Sequence, residues 1–204
     1  MATRQNVAAP NLLGAPRQYN PQYQELLNNT IRLFFNTVVN QINSPVPYGA
    51  FYNETTLTNL AAGEMNLIPF DSPMSGGFQT AVGRVNSRVY VAETGIYNIQ
   101  FSAQANVSAG GGTDTVIIWL RINGENVPAS SGRVVVNGPN SETIVAWNYV
   151  AQLNAKDYIE LAWASAESHM VLQAEAATSV YPSVPSVILT VTWVSLANTS
   201  TGLS

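Results

Sequence analysis

From Tyr48 to Ser195 the chain reads as a succession of short runs, many of them alternating between apolar and polar residues, each closed by turn-forming residues. In "TGIYNIQFSAQ" (94–104), Tyr97, Ile99, Phe101 and Ala103 alternate with Asn98, Gln100, Ser102 and Gln104. Successive side chains leave a strand on opposite sides, so this period of two argues a half-buried β-strand. Strands are expected at 48–52, 56–60, 66–70, 78–83, 86–92, 96–107, 115–123, 133–137, 142–153, 157–164, 169–175 and 185–195. Turn chemistry separates them: "SGG" at 75–77, "SAGGGTD" at 108–114, "NGEN" at 123–126, "NGPNSE" at 137–142 and "NAKD" at 154–157. Many short strands punctuated this way predict a mostly β antiparallel sandwich of jelly-roll type.

The polar side of 94–104 carries amides and a hydroxyl but no charge. That fits the composition. Charged residues are 10% of the 204, against roughly 25% in soluble domains. Interface centres are depleted in Lys, Glu and Asp, so part of this surface is expected to be covered. A plain preference for small polar residues reads the same composition without an interface. Strand 142–153, "ETIVAWNYVAQL", is apolar on both sides. Val145, Trp147, Tyr149 and Leu153 line one side; Ile144, Ala146 and Val150 line the other. One side is core and something else covers the second; the pattern leaves open which is which.

Two segments precede the strands. Residues 1–19 hold Pro10 and Pro16 and show no periodicity, which predicts an extended arm without a core of its own. Fixing such an arm costs on the order of 20–40 kcal/mol, so a partner is expected to order it. In residues 20–45, Asn20 suits a helix N-cap, Pro21 the first helical position, and Pro45 ends the run. Leu27, Ile31, Phe34 and Val38 follow the 4-3-4 spacing of a coiled-coil seam. Leu26, Leu33, Phe35, Val39 and Ile42 widen the stripe. The helix either packs on its own domain or serves oligomerisation or docking. The domain expectation is therefore arm 1–19, helix 20–45 and β domain 46–204.

Other chemistry is sparse. Net charge is −4 with no basic cluster, which argues against nucleic acid. Seven arginines against one lysine, Lys156, suit planar interface contacts, although codon bias gives the same ratio. Without cysteine there is no disulfide, thiol catalysis or Cys-bound zinc. No run is long enough to span a membrane, and the first residues show no secretory apolar region, so use without export is expected. The Asn-x-Ser/Thr sequons at Asn28, Asn53, Asn106 and Asn198 then read as accidents of composition. His169 is the single histidine and reads as structural. The carboxylates are dispersed; Asp157 and Glu160 fall on opposite strand faces and form no acid–base pair. No Asp-rich calcium run is present, and "AGGGTD" joins two strands where a phosphate cradle needs a helix. No cofactor, metal site or catalytic residue is expected. Tyr48, Phe51, Tyr52 and Tyr181 suit core or subunit contact, or a glycan.

"ETGIYNIQFSAQANVS", "VIIWLRING", "ETIVAWNYVAQLNAKDYIELAWAS" and "PSVILTVTWVS" together resemble the tumour-necrosis-factor and complement-head jelly roll. The matching features are Gly95-Ile96-Tyr97 opening a long strand and the corner formed by Leu153, Asp157, Ile159 and Leu161; they span about 48–195. With "YNPQYQELLNNTIRLFFN" in front, the chain is similar to virion structural proteins of tailed bacteriophages, especially those of cyanobacterial and other aquatic hosts. "LANTSTGLS" continues past the last strand, where many relatives stop.

The resemblance implies a homotrimer, with 96–107, 142–153 and 185–195 in the inner sheet around a threefold axis. Asn98, Gln100, Ser102 and Gln104 would face neighbouring subunits, together with Ile144, Ala146, Val150, Trp147 and Tyr149 of the doubly apolar strand. It further implies a non-enzymatic capsid decoration (cement) protein on the outer surface of the virion. The arm, through Leu12, Leu13, Arg17 and Tyr19, would bind the major capsid protein of the same virus. The alternative is the head of a neck or tail fibre or spike that binds a host receptor or glycan. A polysaccharide hydrolase would need paired carboxylates in one cleft, which the sequence does not supply.

Overall fold

The computed structural model describes residues 9–12, 14–43, 46–73, 82–108, 110 and 112–197. The chain divides into two compact units, 1–45 and 46–204.

Among its described residues the first unit holds one helix, α1 (Pro21–Asn43). It starts where the residues dictate. Asn20 Oδ1 accepts the backbone N–H groups of Gln22 at 3.0 Å and Tyr23 at 3.3 Å, satisfying donors that a first turn leaves free. No residue of α1 is buried. Leu27, Ile31, Phe34 and Val38 are half-buried, while Leu33, Phe35 and Ile42 are 63%, 58% and 75% exposed. Asn11 and Leu12 of the arm share a cleft of about 80 Å³ with Tyr23, Leu26, Leu27 and Thr30. Arg17 and Tyr19 are exposed, and Leu13 lies outside the described residues. Among the described residues no helix is long and apolar enough to cross a membrane.

The second unit is two antiparallel sheets packed face to face, the expected jelly-roll sandwich. The first sheet runs β2 (Leu57–Thr58), β13 (Met170–Leu172), β7 (Gly95–Val107), β14 (Val187–Ser195), β1 (Tyr48–Asn53) and β4 (Ser72–Pro73), with β11 (Glu142–Leu153) on the other edge of β7. The second runs β10 (Gly132–Asn137), β8 (Thr113–Ile122), β12 (Tyr158–Ser165), β6 (Arg88–Val91) and β5 (Val82–Val85). On that sheet β3 (Asn66–Leu67) adds to β12, and β9 (Glu125–Asn126) adds to β8. Between the sheets lie Phe51, Tyr97, Ile99, Ile118, Leu120, Leu153, Ile159, Leu161 and Trp163, each no more than 1% exposed.

Three departures from the expected strands have local causes. The run 66–70 stops at Leu67, because Pro69 has no N–H to give a ladder. Ile68 and Phe70 stay buried and donate their N–H groups to Leu161 O and Asn86 O. Within the expected turn 123–126, Asn123 and Gly124 take φ of 52° and 85°, the two positive values of a type I′ hairpin. Glu125 and Asn126 therefore return as a strand against Arg121 and Ile122. The run 169–175 shortens to Met170–Leu172. The expected strand 78–83 falls mostly outside the described residues.

The corner after β11 is built as its residues suggest. Leu153, Ile159 and Leu161 are core. Asp157 caps the turn, accepting the Asn154 N–H at 2.7 Å and the Asn123 side-chain amide at 2.9 Å. Two sequon asparagines serve internal roles: Asn53 donates to Pro69 O at 2.9 Å and Asn106 to Glu142 Oε1 at 2.8 Å.

Candidate functional site

The register of the first sheet brings its outward side chains into rows. Ala146, Ser102 and Ile188 form one row, ending at Tyr52. Asn148, Gln100, Thr190 and Ala50 form the next. Val150, Asn98, Thr192 and Tyr48 form the third, and Ile144 stands beside Gln104. These rows of β11, β7, β14 and β1 hold no charged residue; Glu142, at the end of β11, is the one charge in the described strands of this sheet. Open water normally selects Lys, Glu or Arg on the free face of an antiparallel sheet.

The face is greasy as well as uncharged. Ile144 is 64% exposed and Val150 69%. Between them a shallow depression of about 500 Å³ opens over Gln100, Ser102, Ala146, Asn148, Ile188 and Thr190. Asn98 keeps its Oδ1 buried without a hydrogen-bond partner among the described residues. The structure thus brings together Asn98, Gln100, Ser102, Gln104, Ile144, Ala146 and Val150 on one face, joined by Tyr48 and Tyr52. Phe51 is core, and Tyr181 is 46% exposed outside any strand.

Trp147 and Tyr149 correct the expected interface set. They point the other way, into the sandwich. Both rings stack on Phe101, at centroid distances of 5.8 and 6.0 Å. The Tyr149 hydroxyl donates to Ser130 O at 2.8 Å. Trp147 lies flat on Gly132 of the facing sheet, where a Cβ would fall 2.0 Å from its ring, so only glycine fits. The core side of β11 is therefore Val145, Trp147, Tyr149 and Leu153, and of the expected interface residues on this strand Ile144, Ala146 and Val150 are the ones on its outward side.

The opposite sheet holds a feature that the sequence reading missed. Glu160 is 2% exposed on the outward side of β12. It accepts from Arg121 at 3.2 Å and Ser87 Oγ at 3.1 Å, with Arg88 Nε 3.5 Å away. Arg121 also donates to the Gly124 carbonyl. These residues are far apart in the chain, and no local pattern announces them. Both oxygens of the Glu160 carboxylate are thus engaged by neighbouring side chains. Among the described residues, no three His, Asp or Glu side chains gather to hold a metal ion. Burial pushes the Tyr149 hydroxyl up to about 12; burial, with the Glu93 carboxylate nearby, does the same for Tyr97.

No family model matches the chain, and no curated protein does. Among solved structures, it is similar to Eiger TNF from S. frugiperda at 12% identity and a TM-score of 0.49, covering 79% of this chain and 100% of that one. It is likewise similar to murine APRIL at pH 5.0, at 12% identity and a TM-score of 0.48, covering 74% of this chain and 100% of that one.

Proposed function

We propose that this chain is a non-enzymatic structural module that assembles with copies of itself through the uncharged face of β1, β7, β11 and β14. The observation that carries the reading is that face: charge-free rows, with Ile144 and Val150 each about two-thirds exposed in the single chain. Amides and hydroxyls hydrogen-bond across an interface without the desolvation cost of a charge. The copy number we assign is three, as the sequence resemblance implies.

At the level of biology, the proposed role is a capsid decoration protein of a tailed bacteriophage. The arm and α1 would attach each trimer to the major capsid protein on the virion surface. Support comes from the sequence resemblance of the helix-plus-jelly-roll order, and from an α1 that leaves Leu33, Phe35 and Ile42 uncovered. Three linked attachments reinforce one another through high effective concentration. Deleting residues 1–44 tests the assignment: the β domain should still assemble but no longer bind capsids lacking the protein. Normal attachment by the truncated protein refutes the role given to the arm and helix. Densitometry of purified virions separates this role from a tail appendage, which is present in far fewer copies than a shell protein.

A further inference from the structure

The outward face of the second sheet differs in kind from that of the first. Three arginines, Arg88, Arg121 and Arg133, stand at outward positions of its strands, and the described strands of the first sheet hold none. In a chain of net charge −4, these three guanidinium groups are thus gathered on one face.

On that face Trp119, Ala162 and Leu67 line up in register across β8, β12 and β3. The Trp119 indole Nε1–H donates to Asn126 Oδ1 at 2.8 Å, which favours one orientation of the ring. Ala162, in register between Trp119 and Leu67, is fully buried and Trp119 is half-buried, so part of the indole still reaches solvent on this face. One row along, Arg133 stands exposed opposite Ile117. On the other side, Arg121 is consumed by Glu160, but Arg88 keeps half of its side chain in solvent. Its guanidinium lies 4.6 Å over the Tyr158 ring, held by Glu160 and backed by the Tyr90–Tyr158 pair. Tyr158 is four residues from Ala162, so this second cluster lies about 13 Å along the strand from the Trp119 row.

We propose that this face binds an acidic oligosaccharide. One sugar ring stacks on Trp119, and carboxylate or sulfate groups of the same chain meet Arg133 and Arg88. The choice of ligand follows from the chemistry. A pre-oriented indole favours the apolar face of a pyranose ring, with one side apolar and the rim hydrogen-bonded. Planar guanidinium forks match carboxylate and sulfate oxygens bidentately. The site lies on the sheet opposite the self-association face and is independent of that reading.

The test uses the full-length protein on an array printed with acidic and neutral oligosaccharides. Selective capture of acidic glycans is expected, with affinity at least tenfold weaker for Trp119→Ala and for Arg133→Gln. Both variants should melt within a few degrees of wild type; if Trp119→Ala does not fold, the exposed Arg133→Gln stands alone as the probe. Failure to bind any saccharide, equal binding of neutral and acidic ones, or undiminished binding by both variants overturns the proposal. So does selective binding of single-stranded DNA, used as a stacking, polyanionic control, in place of the glycans.

Discussion

Replacing Val150 with lysine should separate assembly from folding. In the single chain Val150 is 69% exposed, between Asn98 on β7 and the free edge of β11. A lysine there keeps its ammonium in water, so the isolated domain should change stability by no more than about 0.5 kcal/mol. In an assembly that covers this face the arithmetic differs. Full burial of a valine stabilises by roughly 1.5–3 kcal/mol, so covering its exposed two-thirds contributes about 1–2 kcal/mol. Lysine forfeits that and adds the cost of an unpaired buried charge, several kcal/mol more. A total of at least about 3 kcal/mol per contact weakens association about 100-fold or more. Light scattering coupled to size exclusion, over a range of protein concentrations, reads the change. Wild type should hold its assembled mass well below the concentration at which V150K falls apart, while the two melt alike once dissociated. Val135→Lys is the control: Val135 is 47% exposed on the other sheet and should leave the mass unchanged. An assembled V150K of unaltered mass, or dissociation by V135K alone, would refute the reasoning.

Two further outcomes follow from the interior. Glu160→Ala strands the Arg121 guanidinium, whose side chain is only 15% exposed. Removing one partner of a buried pair typically costs about 3–5 kcal/mol, so the urea midpoint should drop sharply; a loss below about 1 kcal/mol would show that the cluster is solvated in solution. Tyr97 and Tyr149 are held neutral to about pH 12 in the fold, against about 10 when unfolded. Their contribution is complete below pH 10 and is lost as pH rises toward 12, because the unfolded chain releases those protons first. The melting temperature of wild type should therefore fall more steeply between pH 10 and 12 than that of Tyr97→Phe/Tyr149→Phe; parallel curves would remove the tyrosines from the account.

The fold was largely legible in the chain because its signals are local. A period of two in 94–104 places Tyr97, Ile99, Phe101 and Ala103 inside and their amide neighbours outside, and no tertiary context is needed to see it. Asn20 starts the helix by accepting first-turn N–H groups and Pro21 by its fixed dihedral. The seam residues Leu27, Ile31, Phe34 and Val38 sit where the 4-3-4 spacing puts them, on the less exposed side of α1. The candidate site was legible only in part. Asn98, Gln100, Ser102 and Gln104 could be assigned to one face from alternation, but alternation says nothing of what lies across the strand gap.

What the sequence determined by itself is the set of faces: which residues share a side of each strand or helix, since backbone geometry alone decides that. Which side of β11 became core was decided by tertiary structure. Both sides are apolar, so the pattern is degenerate until Gly132 offers Trp147 a bare backbone to lie on and Phe101 offers a ring to stack against. The same holds for the Glu160–Arg121–Arg88 cluster and for Arg133 standing on the same face. Strand order brings those charges together, and strand order is a property of the whole packed chain that no short window contains.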